Sequence, residues 1–333
     1  MQQIAFIWEN TNIYWSGIII ALGSLAAILM TLSLRLAQGR SLAAPALLAP
    51  VAIIFSFFAA RIIHWYCHYR LYDSLHTALT DYSVGAFSLT GVFVGVILAA
   101  LLLRGVRVTR HLGALLDCAA PAGALGIAVG RLSAYFNAYD RGKMVFTSES
   151  YQGLPWSTAV ESSSGGVEWR FATFFWESGV TFIIFIILTV LFLLSLRKLK
   201  ADFREGDIFW LFLVLYGAAE IVLDSTRYDS SFLRSNGFVS LVQIISAVTI
   251  VIAAVLFSVR GIRRRGLRPW HFLLWLLLLA ALGNAGYMEY YVQRHSDLYV
   301  FSYSIMSVGM LAAAADIFIL HRAAARGSNS TEN

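Results

Sequence analysis

The chain has 333 residues, of which 59% are hydrophobic and 13% charged, and a formal net charge of +6. Ordinary soluble domains carry about 25% charged residues, so this composition excludes a water-soluble globular protein and points to a bilayer. The positive balance is no argument for nucleic acid, because it is concentrated in short loops between apolar runs, where it reads as attraction to anionic lipid.

The stretch before the first apolar run holds no Lys or Arg and no small-residue cleavage site follows closely, so it is expected to stay as an outer segment rather than a cleaved signal. Nine apolar runs then follow, at 16–34, 42–60, 84–103, 112–129, 172–196, 207–224, 237–259, 270–287 and 299–320. About 20 residues suffice to cross a hydrocarbon core of about 30 Å, so each predicts a transmembrane helix. The fold class is therefore an all-α polytopic membrane protein with about nine spans. Residues 131–170 contain Pro155 and a Ser-Ser-Ser-Gly-Gly run at 162–166, and predict a small extracytoplasmic head of loops and short strands. The basic run 260–269 reads as a linker between a seven-helix core over 1–259 and an additional pair over 270–320, with a disordered tail at 321–333.

Loop charges orient the spans. With the N-terminus outside, the inner loops hold Arg35, Arg40, Arg104, Arg107, Arg110, Arg197, Lys198, Lys200, Arg204, Arg260, Arg263, Arg264, Arg265, Arg268, Arg322 and Arg326, which is 16 of the 25 basic residues. The positive-inside rule then predicts a plasma-membrane protein with its N-terminus outside and its C-terminus in the cytoplasm. Cys67 and Cys118 fall near opposite membrane faces, too far apart for a disulfide, and neither has a metal-ligand spacing. No cofactor or metal is expected.

Ionisable residues inside spans carry the functional signal, because each costs a few kcal/mol there unless paired or facing a cavity. Asp117, Glu177, Glu220, Asp224 and Asp316 are such residues. Tyr216, Glu220, Asp224 and Arg227 recur at intervals of four, four and three, which stacks them on one helix face. Two carboxylates one turn apart repel, so arginines such as Arg131 and Arg227 are expected close by, unless one carboxyl is protonated. The plain alternative is a buried ion-pair network that only holds the bundle together. Asp117 and Asp316 read as structural, and His64, His68 and His76 as interfacial. Gly130-Arg131 ends an apolar span and is followed by aromatic and polar residues through Asn137 to Gly142, a pattern suited to an anionic headgroup.

In this order the residues resemble the bacterial phosphatidylglycerol–prolipoprotein diacylglyceryl transferases. The resemblance covers about residues 13–258. It rests on Ile13-Tyr14-Trp15-Ser16-Gly17, Ala59-Ala60-Arg61, Asp117 with Ala120-Pro121, Gly130-Arg131 with Asn137 and Gly142, and Trp176-Glu177. Tyr216-Gly217 with Asp224 and Arg227, and Ser240-Leu241-Val242-Gln243-Ile244, complete it. It implies transfer of the diacylglyceryl group of phosphatidylglycerol, or a related lipid, to the lipobox cysteine thiol of a prolipoprotein signal peptide, with release of glycerol phosphate. It further implies that Arg131 binds the phosphate with Arg227 as second donor. Arg61, Asn137, Gly142, Tyr216 and Gln243 would then serve the substrate, while Glu177 and Asp224 position the arginines.

The chain departs from that family's pattern at defined places. Thr90 stands where the family has a histidine, Ala134 replaces an asparagine, Tyr139 replaces a glutamate with Asp140 one place late, and Glu220 replaces an arginine. Reversing a unit charge about 6 Å from a phosphate changes the interaction by about 5 kcal/mol at an effective dielectric of 20. Arg131, Glu220, Asp224 and Thr90 are accordingly the candidate catalytic positions, with His64, His68 or the substrate itself as the source of a base. The alternative is a catalytically degenerate relative that binds lipid or a membrane partner. The expected topology is directly testable in intact cells expressing a cysteine-free version of the chain. Single cysteines placed in 131–170 or 288–298 should react with an impermeant thiol reagent and those in 260–269 should not, the reverse pattern overturning the orientation.

Overall fold

A computed structural model describes residues 3–9, 11–81, 87–136, 142–145, 152–161, 166–197, 202–232, 238–294 and 299–325. The described residues are mainly helical, with two small hairpins and a few isolated β-bridges. Strands β1 (Ile4–Trp8) and β2 (Thr11–Tyr14) pair antiparallel, then come α1 (Trp15–Ala37), α2 (Ala43–Cys67), a short α3 (Leu75–Thr80), α4 (Leu89–Gly105) and α5 (Leu112–Arg131). Strands β3 (Ser157–Glu161) and β4 (Val167–Phe171) form the second hairpin. The helices α6 (Thr173–Leu196), α7 (Asp207–Leu223), α8 (Leu241–Arg265), α9 (Pro269–Arg294) and α10 (Tyr299–Ala325) complete the bundle. Eight of these helices are long and apolar enough to cross a membrane, while α4 is apolar but shorter, at 17 residues.

Several helices run past the C-terminal edge of their apolar run, while α8 begins at Leu241 rather than 237. Helix α2 continues to Cys67 rather than 60, α8 to Arg265 rather than 259, and α9 to Arg294 rather than 287. Aromatic and basic residues at span ends keep the helix going while their polar tips reach the interface, so hydropathy stops before the backbone does. Among 260–269 only 266–268 lie outside a helix, and the linker is narrower than expected. The segment before the first span is the β1–β2 hairpin, which four- and five-residue strands do not announce in the sequence.

Helix pairs form where small residues let backbones approach, since apolar side chains gain little by leaving lipid. Gly91 and Gly95 of α4 lie directly on the backbone of Ala60 and Ser56 of α2, so that a Cβ at either glycine has no room. The pairing descends on one helix as it climbs on the other, which makes the two antiparallel, and the Ser56 hydroxyl donates to the Val92 carbonyl at 3.1 Å. Gly23 of α1 meets Gly126 and Gly130 of α5 in the same way. The larger groups of buried side chains are Leu48, Ala99 and Leu115 between α2, α4 and α5; Cys118, Leu188 and Phe212 between α5, α6 and α7; and Ile250, Phe257, Met306 and Ile317 between α7, α8 and the final pair, with a small fourth of Ala134, Ala172 and Phe174. Helices α9 and α10 are thus packed into the bundle, α10 against both α7 and α8. No disulfide joins Cys67 and Cys118.

Two buried polar residues serve helix ends. Asp117 on α5 accepts the N–H groups of Gly206 at 2.7 Å and Phe209 at 2.9 Å, supplying from another helix the cap that α7 lacks in its own Gly206. Asp207, in the first turn of α7, holds Arg260 of α8 at 2.5 Å and His321 of α10 at 3.2 Å. The small-residue seams give a clean expectation for thermal unfolding of the purified protein. Gly95→Ala must push α2 and α4 apart and should cost about 1–3 kcal/mol, whereas Gly105→Ala, with nothing within 4 Å of the new methyl, should stay within about 0.5 kcal/mol of wild type.

Candidate functional site

The site forms where α5, α6 and α7 end together beside the second hairpin. Arg131 is the last residue of α5 and Glu177 lies near the start of α6, so each charge sits at the helix end whose dipole favours it. Glu177 is 1% exposed and holds two arginines: its Oε2 is 3.0 Å from Arg131 Nε, and its Oε1 accepts Arg227 Nε at 2.7 Å and a terminal Arg227 N–H at 2.5 Å. Both donors of the Arg227 fork thus converge on one oxygen.

Helix α7 brings the remaining charges. Glu220, 3% exposed, places Oε1 3.9 Å from an Arg131 terminal nitrogen, a Coulombic approach too long for a hydrogen bond. Tyr216, one turn earlier, has its ring against Phe212 and against Phe93 of α4, at centroid distances of 5.6 and 5.3 Å, and its hydroxyl is buried without a hydrogen-bond partner among the described residues. Asp224, 2% exposed, also has one carboxylate oxygen buried with no such partner. The expected repulsion along the face is therefore relieved unevenly. Glu220 gains Arg131, while Arg227 turns to Glu177.

The hairpin fixes Arg227 from outside the bundle. Residues 142–145 run beside β4, with Val145 N–H donating to Trp169 O at 2.8 Å and Phe171 N–H to Lys143 O at 3.0 Å. On its other edge Lys143 N–H donates to Thr226 O at 2.7 Å and Gly142 bridges Arg227. Gly142 faces the Phe171 backbone so closely that a side chain has no space, which makes it a packing residue at the edge of the site.

Gln243 sits at the start of α8 in a capping box with Ser240. Its side-chain amide donates to Ile221 O at 3.0 Å and to Glu289 of α9 at 2.8 Å, so it ties α7, α8 and α9 together. A cavity of about 350 Å³ opens here, lined by Asp224, Arg227 and Gln243 from the expected set and by Lys143, Glu289 and Gln293. These last three were not among the candidates. Lys143 lay in a head read as loop, and Glu289 two residues past the apolar run taken as the eighth span. Its signal is a period, since the buried residues of α9 are His271, Leu274, Leu278, Ala281, Ala285, Glu289 and Val292.

Other candidates fall elsewhere. Arg61, 1% exposed, donates to the carbonyls of Ala78 at 2.7 Å and Asp81 at 2.5 Å and lies against Tyr72 and Phe87, so it closes the end of α3. Thr90 is half-buried at the start of α4, one turn before the Phe93 that touches Tyr216. His64 contacts the Tyr72 hydroxyl at 3.0 Å and stacks on His68 at 4.4 Å, and among the described residues no hydrogen bond or ring contact joins either histidine to Arg131. Ala134 is buried in the turn after α5. Asn137, Tyr139 and Asp140 lie outside the described residues.

A phosphatidylglycerol–prolipoprotein diacylglyceryl transferase of Bacillus cereus (strain G9842) is 28% identical over 261 residues, covering 74% of this chain and 88% of its own length. The protein of the same name from Bacillus anthracis (strain A0248) shows the same identity and coverage, and that from Bacillus cereus (strain Q1) is 28% identical over 273 residues, 78% of this chain and 92% of its own. The family profile described as prolipoprotein diacylglyceryl transferase matches residues 3–259, the region that supplies Arg131, Glu177, Glu220 and Arg227, and this multi-pass membrane chain belongs to that family.

Proposed function

We propose that the chain is a transferase that moves a diacylglyceryl group from phosphatidylglycerol, or a related anionic phospholipid, to the cysteine thiol of a prolipoprotein lipobox. The observation that carries this reading is the carboxylate of Glu177 holding Arg131 and Arg227 together, 1% exposed, at the ends of three helices. Paired guanidinium groups fixed beforehand are what a departing phosphate ester requires, because their donors need no rearrangement as charge develops.

The chemistry balances without a cofactor. The cysteine sulfur forms a bond to the glyceryl carbon that carries the phosphate ester, and that carbon–oxygen bond breaks to release glycerol phosphate. The thiol proton leaves, at a cost of about 2 kcal/mol near pH 7 for a thiol of pKa about 8.5. No imidazole stands at the Thr90 position, so Glu220 is assigned as the proton acceptor, 3.9 Å from Arg131. Thr90, Tyr216 and Asp224 line the same end of α4 and α7 and orient the substrate, with Asn137, Gly142 and Gln243 at its border. Glu177 sets the arginines.

The membrane arrangement follows from the loop charges and supports this placement: nine crossings that include α4, the N-terminus and residues 131–170 outside, and the C-terminus inside. Residues 1–259 form the transferase unit, which the end of the family match at residue 259 supports, and 270–320 are an added pair.

Purified protein incubated with phosphatidylglycerol and a lipobox peptide should add one diacylglyceryl group to the peptide thiol, read by mass. No mass gain under conditions where the protein is folded and binds the lipid favours the degenerate relative. Arg131→Lys should lower transfer at least about tenfold, since an ammonium cannot reproduce the fork. Glu220→Gln should lower transfer by about 10²-fold or more, the usual range for a lost acid–base group, while Glu220→Asp keeps part of it. Equal activity of Glu220→Gln and wild type removes Glu220 from the mechanism.

A further inference from the structure

The cavity beside Arg227 is closed by a helix outside the family match. Glu289 and Gln293 belong to α9, beyond residue 259, and the pair α9–α10 is packed against α7 and α8. The volume of about 350 Å³ is in the range of small-molecule sites, about 300–1,000 Å³.

The charges around this cavity do not cancel. Arg227 is committed to Glu177. That leaves Lys143 as the remaining cation of the lining, against the carboxylates of Asp224 and Glu289. Neither carboxylate has an ion-pair partner among the described residues. Glu289, 4% exposed, is held by neutral amides, Gln243 on one oxygen at 2.8 Å and Gln293 on the other at 3.0 Å. Asp224 presents a buried oxygen with no hydrogen bond. Burial pushes the Lys143 ammonium below the usual lysine range, against the opposing pull of Glu289 and Asp224. A buried carboxylate without a cation is costly, so Asp224 and Glu289 are places where a ligand's cation is favoured, provided its anion is held by Lys143.

We propose that this cavity binds a zwitterionic phosphoethanolamine group, its ammonium between Asp224 and Glu289 and its phosphate on Lys143. An uncharged glycerol head on a phosphate would add a negative charge to the two carboxylates and bring no cation, so this site selects against it. A primary ammonium has three N–H donors and satisfies both carboxylates at once. The site borders the transfer site and shares Asp224 with it, but binding here uses no thiol and no bond is made or broken.

The test uses the full chain in a non-ionic detergent and calorimetric titration with three probes: short-chain phosphatidylethanolamine, short-chain phosphatidylglycerol and free phosphoethanolamine. The ethanolamine lipid should bind at least about tenfold tighter than the glycerol lipid, which corresponds to about 1.4 kcal/mol. Glu289→Gln, nearly isosteric, should erase that preference while leaving phosphatidylglycerol affinity within about threefold, which separates it from loss of the Arg131 site. Lys143→Met should weaken the ethanolamine lipid and keep the fold, checked by thermal melting of each variant. Free phosphoethanolamine that displaces the lipid supports a soluble source for the ligand, and failure to displace it supports a lipid source. Equal affinity for the two lipids, or a preference unchanged by Glu289→Gln in a folded protein, overturns the proposal. Transfer from phosphatidylglycerol is a separate readout, so loss of the proposal leaves the transferase reading standing.

Discussion

One buried carboxylate decides the shape of one end of this bundle. Glu177, from α6, neutralises Arg131 from α5 and Arg227 from the turn after α7, and in a low-dielectric surrounding no part of that triad survives alone. Removing one partner from such a pair costs about 3–5 kcal/mol because the others remain charged and dry. Three helices are thereby locked at the same depth, and the segment 142–145 is drawn in beside them through its bridge to Arg227.

The triad also limits what its arginines can do. Arg227 spends the two donors of its fork on Glu177, and Arg131 divides its charge between Glu177 and the more distant Glu220. Two guanidinium groups face three carboxylates when Asp224 is included, so an anionic headgroup enters a region that is not strongly positive. The carboxylate of Glu220 therefore makes the field beside Arg131 less positive than the two arginines alone would set. The placement of Glu289 extends the same tendency to the neighbouring cavity.

Much of this was legible in the sequence, and the reason is the bilayer. A hydrocarbon solvent forces long apolar helices, so the all-α class and the helix order could be read from hydropathy alone. The charges inside those helices were equally readable, because each needs a partner, and Glu177, Glu220 and Arg131 do meet. What escaped was whatever hydropathy does not weigh. The β1–β2 hairpin is too short to show a period. Arg61 was placed among the substrate residues, yet its donors go to the end of α3, an element of six residues hidden in a loop. Glu289 fell just past an apolar run, although its three- and four-residue spacing from Ala285 and Val292 marks it as inward-facing.

The cap that Asp117 provides for α7 has a bearing on how the chain assembles. As α7 enters the membrane its first N–H groups need acceptors, and the nearest one was made 89 residues earlier and is already in place on α5. Asp207 is in the opposite situation. Its partner His321 lies 114 residues further on, in α10. The beginning of α7 is thus completed in two instalments, the backbone early and the side chain late, and the chain carries a half-satisfied aspartate through the insertion of α8 and α9 until α10 arrives.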